Sequence, residues 1–440
     1  MRVLFTPYGG GSIAHIVRSL AIADVLRDRG HEILFTTPRT KRDLIERSGY
    51  QIFGKGHSEV NLNDESDQSI DYFRTHKDEF IDWLGDEIKA AEAFQPQVIV
   101  NSPSFFGPIP SLKLGIPYVS VINSQWLPEF KGVFGLGRSE NTLGHRAVRA
   151  IGRPIFARQF ERTYMKEIAN FYSLLGIGVL PRNRMDMHGK HPAIIPGIRE
   201  FEPLVATKRT DLHFVGPIFW EGFERDILEP AMLFADTSPE RPVIYVTLGG
   251  SIYRKQSYID LVKSLAAKTE WNILLSTGPN IARDELPSDS GHLVIRTYMP
   301  GLGACALADI VINTGSHGTV MQALWHGKPV IALPHNFDQA TNAMRLGELG
   351  LGVNMNTLRV SDLSHRETYF KRATQVRWEN IIGTTERALG NSSMLGKARA
   401  FQDVLRAHGD GAANAASIVE RYGASVPVTE DLPNLETAWT

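Results

Sequence analysis

The sequence predicts an α/β protein with two domains, each built on a parallel sheet, and three observations support this. Short β-branched runs alternate with longer helical patterns, as strands joined by crossover helices do. The alternation occurs in two separate series, and 440 residues are too many for one ordinary domain. Hydrophobic residues make up 42% and charged residues 22%, which provides enough apolar side chains for two cores.

The first series begins at the start of the chain. Residues 2–6 form a predicted strand, and residues 16–29 a predicted helix with apolar side chains at helical spacing. Gly30 follows this helix, where glycine commonly ends a helix. The remaining strands predicted in this half are residues 31–37, 97–101 and 118–122.

The second series begins after a break in the pattern at residues 214–220 (FVGPIFW), since Gly-Pro interrupts regular structure. We therefore expect an N-terminal domain, a linker, a C-terminal domain, and a final helix and tail that packs back on the N-terminal domain. These parts are predicted at residues 1–213, 214–225, 226–410 and 411–440, respectively. The strands predicted in the second series are residues 243–248, 271–276, 292–296, 309–313 and 328–333.

Charge and cysteine content narrow the class of protein. Lys plus Arg total 47 against 48 Asp plus Glu, a net charge of −1, which favours neither a nucleic-acid binder nor a polybasic membrane anchor. One cysteine, Cys305, excludes an internal disulfide framework and a cysteine-rich metal site. The start does not have the pattern of a signal peptide, and no stretch has the roughly 18 apolar residues of a membrane helix. We expect a cytoplasmic enzyme, as a monomer or homodimer.

Glycine-rich loops follow the first strand of each series, at Gly9-Gly10-Gly11-Ser12 and Gly249-Gly250-Ser251. Ligands of open parallel sheets bind outside the carboxyl ends of the strands, so two such domains facing each other across a cleft are expected to place their chemistry there. Both loops also fit plain strand-to-helix turns. His15 lies at the mouth of the first helix, where an imidazole can take a proton at neutral pH. A capping or packing histidine is the alternative.

Residues 312–320 (INTGSHGTV) join a predicted strand to a predicted helix. Free backbone N–H groups and the positive helix end suit an anion such as a diphosphate, and the loop lacks the lysine of a Walker motif. The residues that we expect to contact the diphosphate here are Thr314, Gly315, Ser316, His317, Gly318 and Thr319. After the next strand, Asp338-Gln339 begins a helix and offers hydrogen bonds to sugar hydroxyls, although Asp338 also suits a helix start.

In order and spacing, these motifs resemble those of the UDP-glycosyltransferase-like family of GT-B-fold enzymes, especially the bacterial members that decorate small natural products. The family's early histidine fits His15, and its Arg-Gly-His fits Arg29-Gly30-His31. The other matches are Gly250-Ser251 near the diphosphate, Tyr298 two residues before Pro300 for base stacking, Thr314–Thr319 for the donor, and Asp338-Gln339, followed by Asn342-Ala343, for the sugar.

The sequence departs from the family pattern at several positions. Thr314 replaces the histidine with which the family contacts a phosphate. Gln322 replaces the glutamate that binds the ribose hydroxyls, and its neutral amide could accept a deoxyribose. The usual glutamine after the motif's proline is Gly301. The aspartate that orients the catalytic histidine is missing, since Asn101 and Ser102 occupy that region.

The resemblance implies an inverting, metal-independent glycosyltransferase that needs no cofactor and moves a sugar from a UDP- or dTDP-sugar to a hydroxyl. It also implies that the N-terminal domain (residues 1–213) binds the acceptor and the C-terminal domain (residues 226–410) binds the nucleotide-sugar. His15 would be the general base. Aromatic residues after predicted strands could line the pocket of a lipophilic small-molecule acceptor, although each could equally pack in a core. Those residues are Phe105, Phe106, Trp126, Phe130 and Phe134. Two alternatives stay open: a catalytically weak or inactive nucleotide-sugar-binding homologue, and a nucleotide-sugar epimerase of the same fold.

Overall fold

A computed structural model describes residues 1–8, 13–54, 75–102, 108–127, 129–130, 165–178, 191–202, 208–220, 222, 229–247, 249, 255–279, 281–356 and 375–424. The described residues divide into two compact units. The first unit draws them from Met1–Lys131, Pro154–Gly222 and Gly409–Thr440, and the second from Phe223–His408.

The first unit is built on a seven-stranded sheet, counted over the described residues, in which every pair of neighbours is parallel. Its strands are β1 (Arg2–Pro7), β2 (Glu32–Phe35), β3 (Gln51–Ile52), β4 (Val98–Ser102), β5 (Tyr118–Val121), β6 (Ala193–Ile195) and β7 (Leu212–Phe214), in the order β3-β2-β1-β4-β5-β6-β7. Its helices are α1 (Ala14–Asp28), α2 (Arg42–Arg47), α3 (Lys77–Phe94), α4 (Ile109–Leu114) and, from the end of the chain, α12 (Gly411–Gly423); residues 165–174 are also helical.

The second unit repeats this plan with six parallel strands among the described residues. They are β8 (Val243–Thr247), β9 (Asn272–Ser276), β10 (Leu293–Arg296), β11 (Ile310–Asn313), β12 (Val330–Ala332) and β13 (Gly352–Asn354), in the order β10-β9-β8-β11-β12-β13. The helices are α5 (Pro230–Leu233), α6 (Lys255–Ala266), α7 (Gly301–Leu307), α8 (His317–Trp325), α9 (Phe337–Leu349), α10 (Ile381–Leu389) and α11 (Ser392–Arg406).

Both sheets have helices packed on two faces, and β1 shows why three successive residues in the middle of such a strand are apolar. Val3 and Phe5 point to one side, where they pack with α1 and α12, and Leu4 points to the other side with Ala90 and Ala91 of α3. The second unit has a core of the same kind between its sheet and its helices. These two parallel sheets confirm the predicted α/β fold class.

The strand order reverses once in each unit, between β1 and β4 in the first and between β8 and β11 in the second. We call each of these positions the switch point of its sheet. At such a point the connections leave the sheet towards opposite faces, so a crevice opens outside the carboxyl ends of the two strands. The carboxyl ends of β1 and β4 lie at one crevice, and those of β8 and β11 lie at the other.

Helix α12 belongs to the first unit and packs along α1. Glu420 of α12 accepts hydrogen bonds from Arg29 (2.7 Å) and His31 (2.9 Å), just beyond the end of α1. Asn414 donates to the carbonyl oxygen of Val215 (3.0 Å). Arg29-Gly30-His31 therefore joins α1 to the last described helix of the chain.

The predicted strands are found with their bounds moved by no more than two residues, and the helix predicted at 16–29 is α1. Gly30 has a φ of 84°, in the left-handed region that ends many helices. The short strands β3, β6, β7 and β13 were not predicted. Across the described residues, no helix combines the length and the apolar character needed to span a bilayer.

Candidate active site

His15 lies in the first turn of α1, directly after the loop that leaves β1, and so at the crevice of the first sheet. Its Nδ1 atom is 2.5 Å from Oγ of Ser102, the last residue of β4. Oγ of Ser102 is also 3.5 Å from the carbonyl oxygen of Val121. Ser102, at the end of β4, thus fixes the ring from one side and leaves Nε2 as the nitrogen that it does not engage.

Asn101 and Ser102 occupy the region where the family has an aspartate, and the structure separates their roles. The Asn101 amide donates to the carbonyl and hydroxyl oxygens of Thr6 (2.8 and 2.6 Å) and accepts from the hydroxyl of Tyr118 (2.9 Å), so it ties β4 to its neighbours. Ser102 alone of the two contacts the histidine. A neutral hydroxyl therefore stands where a carboxylate was expected.

A buried cation lies next to His15 on the same helix. Arg18 is only 5% exposed, and its guanidinium donates to Oδ1 of Asn123 (2.9 Å). Burial lowers the pKa of His15 to about 3, and the charge of Arg18 makes a smaller contribution in the same direction. His15 is therefore a neutral imidazole over the physiological pH range.

Tyr8 forms an aromatic wall beside the histidine. Its ring meets the His15 ring edge-on, with centroids 5.6 Å apart, and stacks on Trp83 at 5.9 Å. Trp83 is buried in α3, so the half-buried Tyr8 is the part of this pair that reaches the surface near His15.

In the second unit, the N-terminus of α8 lies at the switch point after β11. Ser316 is the N-cap residue, but its side chain does not cap the helix; its hydroxyl instead donates to Oγ1 of Thr319 (3.1 Å). Backbone N–H groups in the first turn of a helix have no partner within the helix. A helix start of this kind suits an anion, and diphosphate binding by residues 314–319 stays a prediction.

Gly315 joins this loop to the start of α9. Its φ is 81°, and a Cβ atom there would lie 2.7 Å from the carbonyl oxygen of Gln339. The side-chain amide of Asn342 donates to the carbonyl oxygen of Gly315 (2.9 Å), and the backbone N–H of Gly315 donates to Asn313. Only glycine fits this position, because both the conformation and the space exclude a side chain.

Gln339 is held from two directions. Its backbone N–H donates to the N-cap Asn336 (2.9 Å), and its side-chain oxygen accepts from the backbone N–H of His335 (2.8 Å). With the oxygen engaged, the side-chain NH₂ group is the part left to donate to a sugar hydroxyl. Asp338, its half-buried neighbour, supplies a carboxylate that accepts hydrogen bonds.

The His335 ring is fixed in turn. Its Nε2 atom is 2.7 Å from the hydroxyl of Tyr258, and Trp378 stacks on it with ring centroids 6.0 Å apart. Neither Tyr258 nor His335 was predicted to support the site. Their contact joins α6 to the loop after β12, and no sequence motif links those segments.

Tyr298 and Gln322 are the remaining predicted donor residues, and Gly301, a departure from the family pattern, lies beside Gln322. Tyr298 is 58% exposed after β10, as a ring that stacks on a base must be. A Cβ atom at Gly301 would lie 2.5 Å from Oε1 of Gln322, so the Gln322 amide occupies the space next to that glycine. The two departures from the family pattern are thus in contact with each other.

Several predicted residues lie outside the described part of the chain. For the donor these are Gly250 and Ser251, with Gly9–Ser12 at the first loop; for the acceptor they are Phe105, Phe106 and Phe134. Trp126 is half-buried and packs against apolar residues of β6 and β7, and Phe130 is buried.

Comparison with known proteins finds glycosyltransferases among the similar sequences. Residues 243–364 match the glycosyltransferase family 28 C-terminal domain. A PGL/p-HBAD biosynthesis glycosyltransferase of Mycobacterium tuberculosis (strain ATCC 25177 / H37Ra) is 24% identical over 373 residues, 82% of each chain. The demethyllactenocin mycarosyltransferase of Streptomyces fradiae is 25% identical over 366 residues, 77% of this chain and 72% of that one.

Solved structures extend the similarity to the whole fold. The kitacinnamycin glycosyltransferase has a TM-score of 0.67 at 17% identity, covering 96% of this chain and 98% of that one. The glycosyltransferase VinC in complex with DTDP has a TM-score of 0.62 at 16% identity, covering 97% of this chain and all of that one. The chain has the fold of the GT-B glycosyltransferases. Its second unit carries the family 28 domain, and β8 to β13 all lie within the match.

Arg18, Ser102 and Tyr8 are neighbours of His15 that sequence reasoning did not assign. Arg18 could have been predicted as a site residue, because a charged residue one turn after His15 interrupts the apolar face of α1. Ser102 could not, since a serine at the end of a buried strand fits many roles.

Proposed function

We propose that the chain transfers a sugar, with inversion and without a metal ion, from a UDP- or dTDP-sugar to a hydroxyl group of a lipophilic small-molecule acceptor. The observation that carries this proposal is the position of His15 and of the α8 N-terminus, each at the switch point of its own parallel sheet.

The donor part of the proposal rests on the second unit. The α8 N-terminus receives the diphosphate, whose charge increases as the sugar leaves, and this backbone dipole replaces a metal ion in stabilising it. Asp338 and Gln339 bind the sugar and Tyr298 stacks on the base. The neutral Gln322 favours the thymidine nucleotide, and the similar VinC structure in complex with DTDP supports that choice.

The transfer step rests on the first unit. His15 takes the proton of the acceptor hydroxyl at Nε2, while Ser102 holds Nδ1. The acceptor oxygen forms a bond to the anomeric carbon as the bond from that carbon to the diphosphate breaks. The electron pair leaves with the nucleoside diphosphate, so one displacement inverts the anomeric centre.

The test is a His15→Ala variant assayed in buffer with EDTA. We expect transfer to be lost by about 100-fold or more, as for removal of a general base, while calorimetric affinity for dTDP and UDP is unchanged. Undiminished transfer by the variant would exclude His15 as the base, and a requirement for added metal would exclude the metal-free mechanism.

A second candidate is a nucleotide-sugar-binding homologue with weak or no catalysis. The hydroxyl partner of His15, in place of a carboxylate, favours it. The same experiment separates the two functions, because this candidate predicts nucleotide binding by the native protein without transfer to any acceptor.

A further inference from the structure

The partner of the His15 ring limits what the histidine can do as a base. Among the described residues, the ring forms its hydrogen bond with the Ser102 hydroxyl, 2.5 Å away. When a catalytic histidine takes a proton, a carboxylate at this position stabilises the imidazolium that forms. A hydroxyl orients the ring but supplies no negative charge, so Ser102 does not balance the positive charge of the imidazolium.

Arg18 adds to the same effect. Its guanidinium is buried three residues along α1 and is bonded to the neutral Asn123 amide. A positive charge in a poorly solvated position repels a second positive charge on His15. By the same interaction it attracts an anion, so the region favours an acceptor oxygen that already carries negative charge.

The consequence concerns the acidity of the acceptor. A base whose protonated form is disfavoured removes a proton efficiently only from a hydroxyl that gives it up readily. A phenol has a pKa of about 10, whereas a hydroxyl as weakly acidic as that of water has a pKa of about 15.7. The aromatic wall of Tyr8, edge-on to His15, also suits a flat aromatic ring.

We propose that the acceptor hydroxyl is acidic, a phenol or a comparably acidic enol, and that the chain discriminates against aliphatic alcohols. This inference rests on the proposed function. In the step, the phenolic O–H bond breaks and its proton goes to Nε2 of His15. The phenolate oxygen bonds to the anomeric carbon as the bond from that carbon to the diphosphate oxygen breaks. The electron pair of the broken bond leaves with the nucleoside diphosphate.

The experiment compares matched acceptors with the native protein. Phenol, 4-methoxyphenol and 4-cyanophenol are assayed against cyclohexanol and its 4-methoxy and 4-cyano counterparts, with UDP-glucose, dTDP-glucose and dTDP-rhamnose as donors. Mass spectrometry identifies the glycosides and gives kcat/KM. We expect each phenol to exceed its cyclohexanol by about 100-fold or more, in keeping with the size of general-base effects.

A Ser102→Asp variant tests the cause of the discrimination. A carboxylate beside Nδ1 would stabilise the imidazolium, so we expect the variant to gain transfer to cyclohexanols and to narrow the ratio. A Ser102→Asn variant is its neutral control. Because Ser102 is fully buried and either variant could fail to fold, the ratio measured with the native protein stands as an independent test.

The outcomes separate this inference from the proposed function. Equal kcat/KM for phenols and cyclohexanols would overturn the acidic acceptor and leave the transferase proposal standing. Nucleotide binding by calorimetry without glycoside from any acceptor would overturn the transferase proposal, and the acidic acceptor with it.

Discussion

The side-chain amide of Asn342 donates a hydrogen bond to the carbonyl oxygen of Gly315, 2.9 Å away. This contact joins the loop that begins α8 to the first turns of α9. Because Gly315 also packs against the backbone of Gln339, the predicted diphosphate-binding loop and the predicted sugar-binding pair form one hydrogen-bonded unit. A change in either segment is therefore expected to affect the other.

The first prediction concerns Gly315→Ala. An alanine at a φ of 81° is strained by about 1–2 kcal/mol, and its Cβ would meet the Gln339 carbonyl, which belongs to the backbone of α9. We expect lower stability in urea and at least about a tenfold loss of affinity for dTDP, equivalent to about 1.4 kcal/mol.

Gly347→Ala is the matched control, because Gly347 lies on α9 with open space around it. Alanine in a helix there is expected to be neutral or to stabilise by up to about 1 kcal/mol. Equal behaviour of the two variants would show that the loop does not depend on the tight approach at Gly315.

The second prediction concerns Gln322→Glu. A carboxylate accepts hydrogen bonds from both ribose hydroxyls, and such charged hydrogen bonds contribute about 1.5–3 kcal/mol. We expect calorimetry to show the ratio of UDP to dTDP affinity rising by about tenfold or more. Gln322→Ala, which removes the amide without adding charge, is expected to weaken both nucleotides alike; a ratio unchanged by glutamate would place nucleotide selection elsewhere.

Much of this architecture could be predicted from the sequence, because β1, β4, β8 and β11 are short apolar runs whose length favours buried strands over helices. The glycine at 315 was also predictable, as part of a loop between a strand and a helix. The three-residue strands β6, β7 and β13 were not, since each is too short for periodicity and depends on its neighbour in the sheet.

Contacts between distant segments account for the rest. The Ser102–His15 hydrogen bond spans 87 positions and the Tyr258–His335 bond 77. Both pairs consist of ordinary residues that acquire a role only when the sheet brings their segments together. Likewise, the sequence shows Gln322 and Gly301 as two independent departures from a family pattern, whereas the structure places the Gln322 amide beside Gly301.

The third prediction concerns the pH dependence of transfer. Burial and Arg18 lower the pKa of His15 to about 3, so the imidazole stays unprotonated well below neutral pH. We expect kcat/KM to change less than about twofold between pH 7.5 and 5.5, whereas a histidine with a pKa of 6.5 would cause about a tenfold fall. In an Arg18→Met variant the pKa should rise and the fall should move towards neutral pH. A tenfold fall in the native protein would contradict this assignment.

The fourth prediction concerns Glu87, which is buried in α3. Burial raises the pKa of Glu87 to about 8, although the hydrogen bond from Trp83 acts in the opposite direction. The unfolded chain ionises near the usual 4.5 and the folded chain only near 8, so stability falls between these values by up to about 1.36 kcal/mol per pH unit. Glu87→Gln keeps an acceptor for Trp83 and removes this titration.

We therefore expect Glu87→Gln to be clearly more stable than the native protein at pH 8 and similar to it at pH 5, by urea denaturation. Glu92→Gln, an exposed position on the same helix, is the control and should follow the native pH profile. If Glu87→Gln followed that profile too, the carboxyl group would not be neutral in the folded state.

The last prediction concerns the attachment of α12. Burial would raise the pKa of Glu420, but the hydrogen bond from His31 and the charge of Arg29 outweigh it and hold the pKa below its usual value. This contribution is present above the pKa of the unfolded state, near 4.5, and is lost as pH falls through the lower folded value. Each partly exposed ion pair contributes about 0.2–1 kcal/mol.

Glu420→Gln should consequently speed hydrogen exchange in α12 at pH 7, with little change in the second unit. A double-mutant cycle with Arg29→Met is expected to return a coupling of that size at pH 7 and a smaller one at pH 3.5. Additive effects at pH 7 would mean that apolar packing of α12 on α1, through residues such as Ala415 and Val419, holds the helix without help from the ion pair.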